Sequence, residues 1–233
     1  MSSSLPNRTL VIMAKAPKPG MVKTRLTESL PASATAELYR CLLEDTLALA
    51  KSLSVKVAVM CPEPDEDELR RLVSSTVEVV AQKGEGLAAG LTSVFRHFAA
   101  GRERVIAFNS DSPHLGPSVL EKAFEILVTH DLVVGPTHDG GYYLVGAKGD
   151  HPALFESDPM GTTSALDRLL TRATALELST GFTEPFYDID VASDLILLAR
   201  ELQLAPAKAP RTAGWCGEWR EAVAQLGPRA KAL

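Results

Sequence analysis

The chain has 233 residues, 45% of them apolar and 23% charged, with a formal net charge of −5. That length suits one large domain or one domain with an appendage, and the composition supports an ordinary buried core. The acidic balance argues against a nucleic-acid partner held by counterion release, and no apolar run reaches the roughly 18 residues of a bilayer span.

Residues 1–8 have no apolar core behind a basic stretch, so no secretory signal is read there and a cytoplasmic setting is expected. Residues 10–14, Leu-Val-Ile-Met-Ala, form a continuous apolar run that predicts a strand buried on both faces. Residues 15–25 follow directly and carry Lys15, Lys18, Lys23 and Arg25 with no acid among them. Such a loop at a strand's carboxyl end, shaped by Gly20 and two prolines, can surround a di- or triphosphate; the plainer reading is a solvated basic turn. It matches neither a Walker A motif nor Gly-x-Gly-x-x-Gly.

Leu38, Leu42 and Leu49 space a helix over residues 36–49. A strand at 55–61, an acid-led helix at 65–73 and a strand at 77–80 come next, with Cys41 and Cys61 read as reduced packing residues, like Cys216. Gln82, Gly84 and Gly86 follow the third strand, where backbone groups can seat a base or ribose. The run 105–108 predicts a fourth strand ending in Asn109-Ser-Asp111-Ser-Pro113, and a carboxylate there suits Mg²⁺ or Mn²⁺, or else an Asx turn. Leu120, Ala123, Phe124 and Leu127 mark a surface helix over 119–128.

After a fifth strand at 132–134 the pattern changes. His138-Asp139-Gly140-Gly141-Tyr142-Tyr143 predicts a tight glycine turn into an antiparallel segment, in which the tyrosines form either an acceptor wall or part of a plain hairpin. Residues 186–190, Phe-Tyr-Asp-Ile-Asp, read as the end of a further strand, with Asp188 and Asp190 on one face and Ile189 on the other. Two like charges so close call for a cation, which a metal shared with Asp111 would supply. Alternatively, Asp190 or Ser193 caps the helix marked by Leu195, Leu198, Ala199 and Leu202. The five histidines lack zinc-site spacing, and no Gly-x-Ser-x-Gly elbow occurs. The whole reads as α/β: a mostly parallel central sheet covered on both faces, with a mixed second half and sites at the strands' carboxyl ends.

Lys15-x-Pro-x-Pro-Gly-x-x-Lys-Thr-Arg-Leu26, Ser110-Asp-Ser-Pro-His-Leu115, Gly135-Pro-Thr-His-Asp-Gly-Gly-Tyr-Tyr-Leu-Val-Gly146 and Tyr187-Asp-Ile-Asp190 occur in this order. Together they resemble the glycosyltransferase-like family of radical-SAM/selenodomain-associated transferases, which is similar to 2-phospholactate guanylyltransferase. The resemblance spans residues 9–202 and implies the GT-A (nucleotide-diphospho-sugar transferase) fold, a three-layer sandwich. It assigns Lys15, Lys23 and Arg25 to phosphate binding; Lys18, Gly20 and Thr24 of the same loop are read beside them as further nucleotide-binding candidates. Asp111 becomes the first metal ligand and Asp190 the second, with Asp188 as the alternative. The segment Asp139 to Tyr143, with Gly140, Gly141 and Tyr142, becomes the acceptor-side hairpin, and Gln82 to Gly86, with Gly84, the base-side loop. Two departures stand out: Ala-Pro-Lys-Pro-Gly replaces a Gly-rich turn after the first strand, and Val191-Ala-Ser-Asp194 replaces Thr-Pro-Glu-Asp.

These readings predict a transferase domain over residues 1–204 and an extension over 205–233, docked or trailing. The expected reaction is nucleotidyl transfer from a nucleoside triphosphate to a small, phosphorylated acceptor with pyrophosphate release. The alternative is a glycosyltransferase with a nucleotide-sugar donor and Asp139 as general base, and a third reading is a catalytically silent binding module. A homodimer is compatible with either enzyme.

Overall fold

The structure is a computed structural model that describes residues 7–99, 103–155 and 165–226. Its strands are β1 (Arg8–Met13), β2 (Lys56–Cys61), β3 (Glu78–Ala81), β4 (Arg104–Asn109), β5 (Leu132–Pro136), β6 (Tyr142–Lys148) and β7 (Thr180–Phe182). The helices are α1 (Ala32–Lys51), α2 (Glu66–Leu72), α3 (Gly86–Phe98), α4 (Pro117–Thr129), α5 (Ala165–Ala175), α6 (Ala192–Leu204), α7 (Pro210–Glu218) and α8 (Arg220–Gln225). One seven-stranded sheet in the order β3-β2-β1-β4-β6-β5-β7 holds them together.

The apolar run of β1 ends up where a parallel sheet needs it, between β2 and β4 and paired in parallel with both. Alternation along the strands then sorts side chains to two faces. Leu10, Ile12, Ile106 and Phe108 pack beneath α1, α2 and α4, while Val11, Val105 and Ala107 pack beneath α3 and α5. The result is the expected three-layer α/β arrangement. Among the described strands only β6 runs antiparallel, wedged between β4 and β5 by the glycine-led hairpin, so the carboxyl ends of β1 and β4 and the hairpin tip lie along one edge of the sheet.

A third apolar cluster sits beside the sheet. It joins Leu26 behind the basic loop, Leu38 and Leu42 of α1, Ile189, Leu195 and Leu198 near α6, and Trp215 and Val223 of α7 and α8. Asp45, buried in α1, fixes this attachment. Its carboxylate accepts the backbone N–H groups of Arg211 (3.2 Å) and Thr212 (2.8 Å) and the Thr212 hydroxyl (2.8 Å), satisfying donors at the start of α7. Residues 227–233, with Pro228, lie outside the described residues.

Two sequence expectations need correction. Residues 186–190 are not a strand: only Phe186 forms a bridge, to Thr137, because the Tyr187 carbonyl accepts the Ser112 hydroxyl (3.1 Å) rather than a ladder bond. The cap of α6 is neither Asp190 nor Ser193. Asp194, inside the first turn, accepts the N–H groups of Asp190 (3.0 Å) and Val191 (2.9 Å), which leaves the Asp190 side chain available for other contacts.

Candidate functional site

The basic loop is anchored by its few apolar residues and shaped by two unusual backbone positions. Ala16, Val22 and Leu26 are buried, while Gly20 (φ +78°) and Lys23 (φ +48°) occupy the left-handed region. Glycine meets that demand freely; a lysine there carries a cost of about 1 kcal/mol or more. The strained turn aims Lys23 inward. Its ammonium lies 2.6 Å from Asp111 Oδ2 and 3.6 Å from Asp190 Oδ1, with the side chain only 5% exposed. Arg25 reaches Asp190 Oδ2 at 3.2 Å from a largely exposed position.

Asp111 is held from behind by a hydrogen-bond relay. The Lys15 backbone N–H donates to the Tyr39 hydroxyl (3.0 Å), which lies 2.9 Å from Ser110 Oγ, and Ser110 donates to Asp111 Oδ1 (3.2 Å). Tyr39 is buried, and burial followed by the Asp111 charge pushes its phenol upward, so it stays a neutral hydroxyl. Ser112 accepts from Asn109 (3.2 Å) while donating to the Tyr187 carbonyl, tying the end of β4 to the 186–190 segment. Ile189, fully buried in the third cluster, turns Asp188 and Asp190 toward Asp111.

Carboxylate oxygens of Asp111, Asp188 and Asp190 therefore lie within 4.8 Å of one another, all half-buried. Octahedral Mg²⁺ with oxygens at about 2.1 Å spans about 4.2 Å between opposite ligands, so three hard oxygen donors at this spacing fit Mg²⁺ or Mn²⁺ after a small adjustment. The Lys23 ammonium, in contact with two of them, marks the place as one that takes positive charge. Burial alone would lower the Lys23 pKa, but Asp111 and then Asp190 outweigh it and hold the ammonium charged.

Thus Lys23, Arg25, Asp111, Asp188 and Asp190 come together, while the other residues singled out from the sequence make different contacts. Lys18 is tied to Asp65 (2.6 Å) and the Pro64 carbonyl (3.1 Å). Lys15 is exposed, without an ion-pair partner among the described residues, and the Thr24 carbonyl accepts the Thr27 hydroxyl (2.6 Å). Gln82 spans its own loop, donating to the Gly84 (2.8 Å) and Gly86 (3.2 Å) carbonyls. That loop borders a cavity of about 760 Å³, lined by Met60, Val80, Lys83, Glu85 and α3 residues, with none of the clustered acids among its described lining residues.

Asp139 accepts from Thr137 (2.5 Å) and the Gly141 N–H (3.4 Å) within its own turn. Gly140 there has φ +85°, and a Cβ on Gly141 would sit 2.8 Å from the Thr137 hydroxyl, so both glycines are required. Tyr142 is half-buried against the α3 and α5 side of the core. The acceptor wall does not form as a pair: Tyr143 is core, its hydroxyl bonded to Thr183 (2.6 Å) and the Glu184 carbonyl (3.1 Å), because alternation in β6 turns it to the opposite face.

Sequence reasoning missed Tyr39, Ser110, Asp45 and His114. Tyr39 and Thr46 lie on the buried face of α1 among leucines, and that polar interruption of an apolar stripe was the available signal. His114 is buried between the Phe186 and Tyr187 rings (centroids 4.8 and 4.6 Å away), and burial pushes its pKa down to about 3.

In its sheet order the chain shares the fold of a solved protein named for nucleotide-diphospho-sugar transfer. Nearly the whole chain superposes on a Desulfovibrio desulfuricans G20 protein provisionally named a nucleotide-diphospho-sugar transferase, with a TM-score of 0.88, 24% identity, and coverage of 96% of this chain and 99% of that one. Residues 45–162, a little over half of the chain, match the model of DUF2064, described as an uncharacterized protein conserved in bacteria, and the chain belongs to that family. More distant likenesses include a Methanothermobacter nucleotidyl transferase, with a TM-score of 0.58, 17% identity, and 85% and 98% coverage. Another is Rv0371c of Mycobacterium tuberculosis H37Rv in complex with manganese, with a TM-score of 0.51, 16% identity, and 82% and 96% coverage. No curated protein matches the sequence. Among the described residues, no helix is long and apolar enough to cross a membrane.

Proposed function

We propose that the protein is a metal-dependent transferase acting on a nucleotide, and specifically that it moves a nucleotidyl group from a nucleoside triphosphate to a small phosphorylated acceptor. The observation that carries this reading is the meeting of Asp111, Asp188 and Asp190 against Lys23 and Arg25. The fold shared with a nucleotidyl transferase and with a protein solved in complex with manganese supports it, as do the motifs resembling the radical-SAM/selenodomain-associated transferases, a family similar to 2-phospholactate guanylyltransferase.

In this proposal the three aspartates would hold Mg²⁺ or Mn²⁺, which supplies charge neutralisation at phosphate oxygens. Lys15, Lys23 and Arg25 bind the β- and γ-phosphates and offset charge on the departing group. An acceptor phosphate oxygen bonds to the α-phosphorus, the bridge to the β-phosphate breaks, and pyrophosphate leaves with that electron pair. The acceptor is already an anion, so the site needs no general base, which agrees with Asp139 lying outside the cluster. The cavity beside the loop of Gln82, Gly84 and Gly86 falls within the roughly 300–1,000 Å³ of small-molecule sites and is the place proposed for the base. A transferase domain over residues 1–204, an extension over 205–233 and a cytoplasmic setting belong to the same proposal.

The test is a thermal-shift panel of nucleoside triphosphates and nucleotide-sugars with and without Mn²⁺, followed by product analysis with small phosphorylated acceptors. A triphosphate at about 100 times its Kd should add about 2.7 kcal/mol of stability only when the metal is present. Pyrophosphate as product supports the proposal, whereas nucleoside diphosphate released from a nucleotide-sugar would replace it with glycosyl transfer. Absence of any metal-dependent nucleotide response would overturn both.

A further inference from the structure

The acids proposed to hold the metal already have a cation of their own. Lys23 Nζ lies within 2.6 Å of one and 3.6 Å of another, on a side chain almost wholly removed from water. It is delivered by a residue in the left-handed region, a conformation that the loop sustains only because its surroundings enforce it. An ammonium in contact with a carboxylate oxygen competes with a divalent ion for the same lone pairs and repels it at a few ångströms. Arg25 competes far less, since its exposed guanidinium can swing into solvent at little cost.

We propose that Lys23 is a built-in counter-ion of Asp111, Asp188 and Asp190, displaced by an incoming divalent ion and thereby freed to bind the phosphate-bearing ligand. The inference rests on the metal reading above. Each ligand takes one partner of the Lys23–Asp111 pair, so each removes an obstacle to the other, and the coupling is reciprocal. Metal alone then binds weakly, because it must break a buried ion pair and leave the lysine without a partner.

The decisive measurement is Mn²⁺ binding to the full chain, without nucleotide, by electron paramagnetic resonance. Lys23→Met shortens the side chain by only one atom and removes its charge, and should bind Mn²⁺ about tenfold or more tightly than the wild type. If the wild type binds Mn²⁺ and Lys23→Met binds it no more tightly, the counter-ion role is overturned and the metal site stands. If neither chain binds Mn²⁺, both fall. A second measurement avoids the variant altogether: acetylation of the wild type by an N-hydroxysuccinimide ester, read by mass spectrometry. Lys23 labelling should rise several-fold when Mn²⁺ is added while the exposed Lys51 stays constant. Unchanged Lys23 labelling with Mn²⁺ bound would equally overturn the proposal.

Discussion

Asp111→Asn is the substitution that most directly tests the site. The amide fills the same volume and can still accept from Ser110, but it loses the charge that faces Lys23 at 2.6 Å. Lys23 retains Asp190 at 3.6 Å, so its ammonium is not abandoned in the interior. The folding cost is therefore that of one charged hydrogen bond, about 1.5–3 kcal/mol. For a chain of this size that lowers Tm by roughly 3–12 °C and leaves the protein folded. The metal loses one of three carboxylates, and removing one well-placed charge-stabilising group costs about 10² to 10³ in turnover. Isothermal titration with Mn²⁺ and a thermal melt, run on the same preparation, separate the two effects. A folded Asp111→Asn protein that binds Mn²⁺ within threefold of the wild type would refute the assignment.

Three further outcomes are expected. Asp45→Ala strips the three hydrogen bonds from the start of α7 and should cost about 3 kcal/mol in urea unfolding, with a loss under 1 kcal/mol counting against the anchoring role. Tyr39→Phe interrupts the relay from Lys15 to Asp111 and leaves the part-buried Lys15 N–H without its acceptor, so a loss of about 1 kcal/mol is predicted, together with weaker Mn²⁺ binding by titration. The pH response follows from His114: the unfolded imidazole takes a proton near pH 6.5, whereas the folded one resists it down to about 3. Native stability should therefore fall as pH drops below about 6.5, by about 2 kcal/mol between pH 7 and pH 5, and His114→Phe should flatten that stretch of the urea-derived profile.

The strand and helix skeleton was readable because burial leaves a periodic trace. The unbroken run of β1 and the spacing of Leu120, Ala123, Phe124 and Leu127 in α4 each point to one structure. The acids were readable for a related reason, since one buried isoleucine between two aspartates fixes which way both face. Alternation, however, says nothing about ladder partners, and for that reason residues 186–190 looked like a strand. The links that finish the site run between distant positions, as from Tyr39 to Ser110 or Asp45 to Thr212, and have no period to betray them. Lys18 shows the same limit. Composition grouped it with the other loop cations, but an aspartate 47 residues away decides where it points.

The third apolar cluster has a consequence for how heat will act on this molecule. Leu26 behind the basic loop and Ile189 between the two aspartates lean on the same contacts as Trp215, whose ring stacks on Trp219, and these are both tryptophans of the chain. Intrinsic fluorescence on warming thus senses the carboxy-terminal helices and the footing of the charged residues together. If those helices loosen while the sheet still gives its far-ultraviolet dichroism, the nucleotide response should fade in step with the fluorescence and ahead of the dichroism.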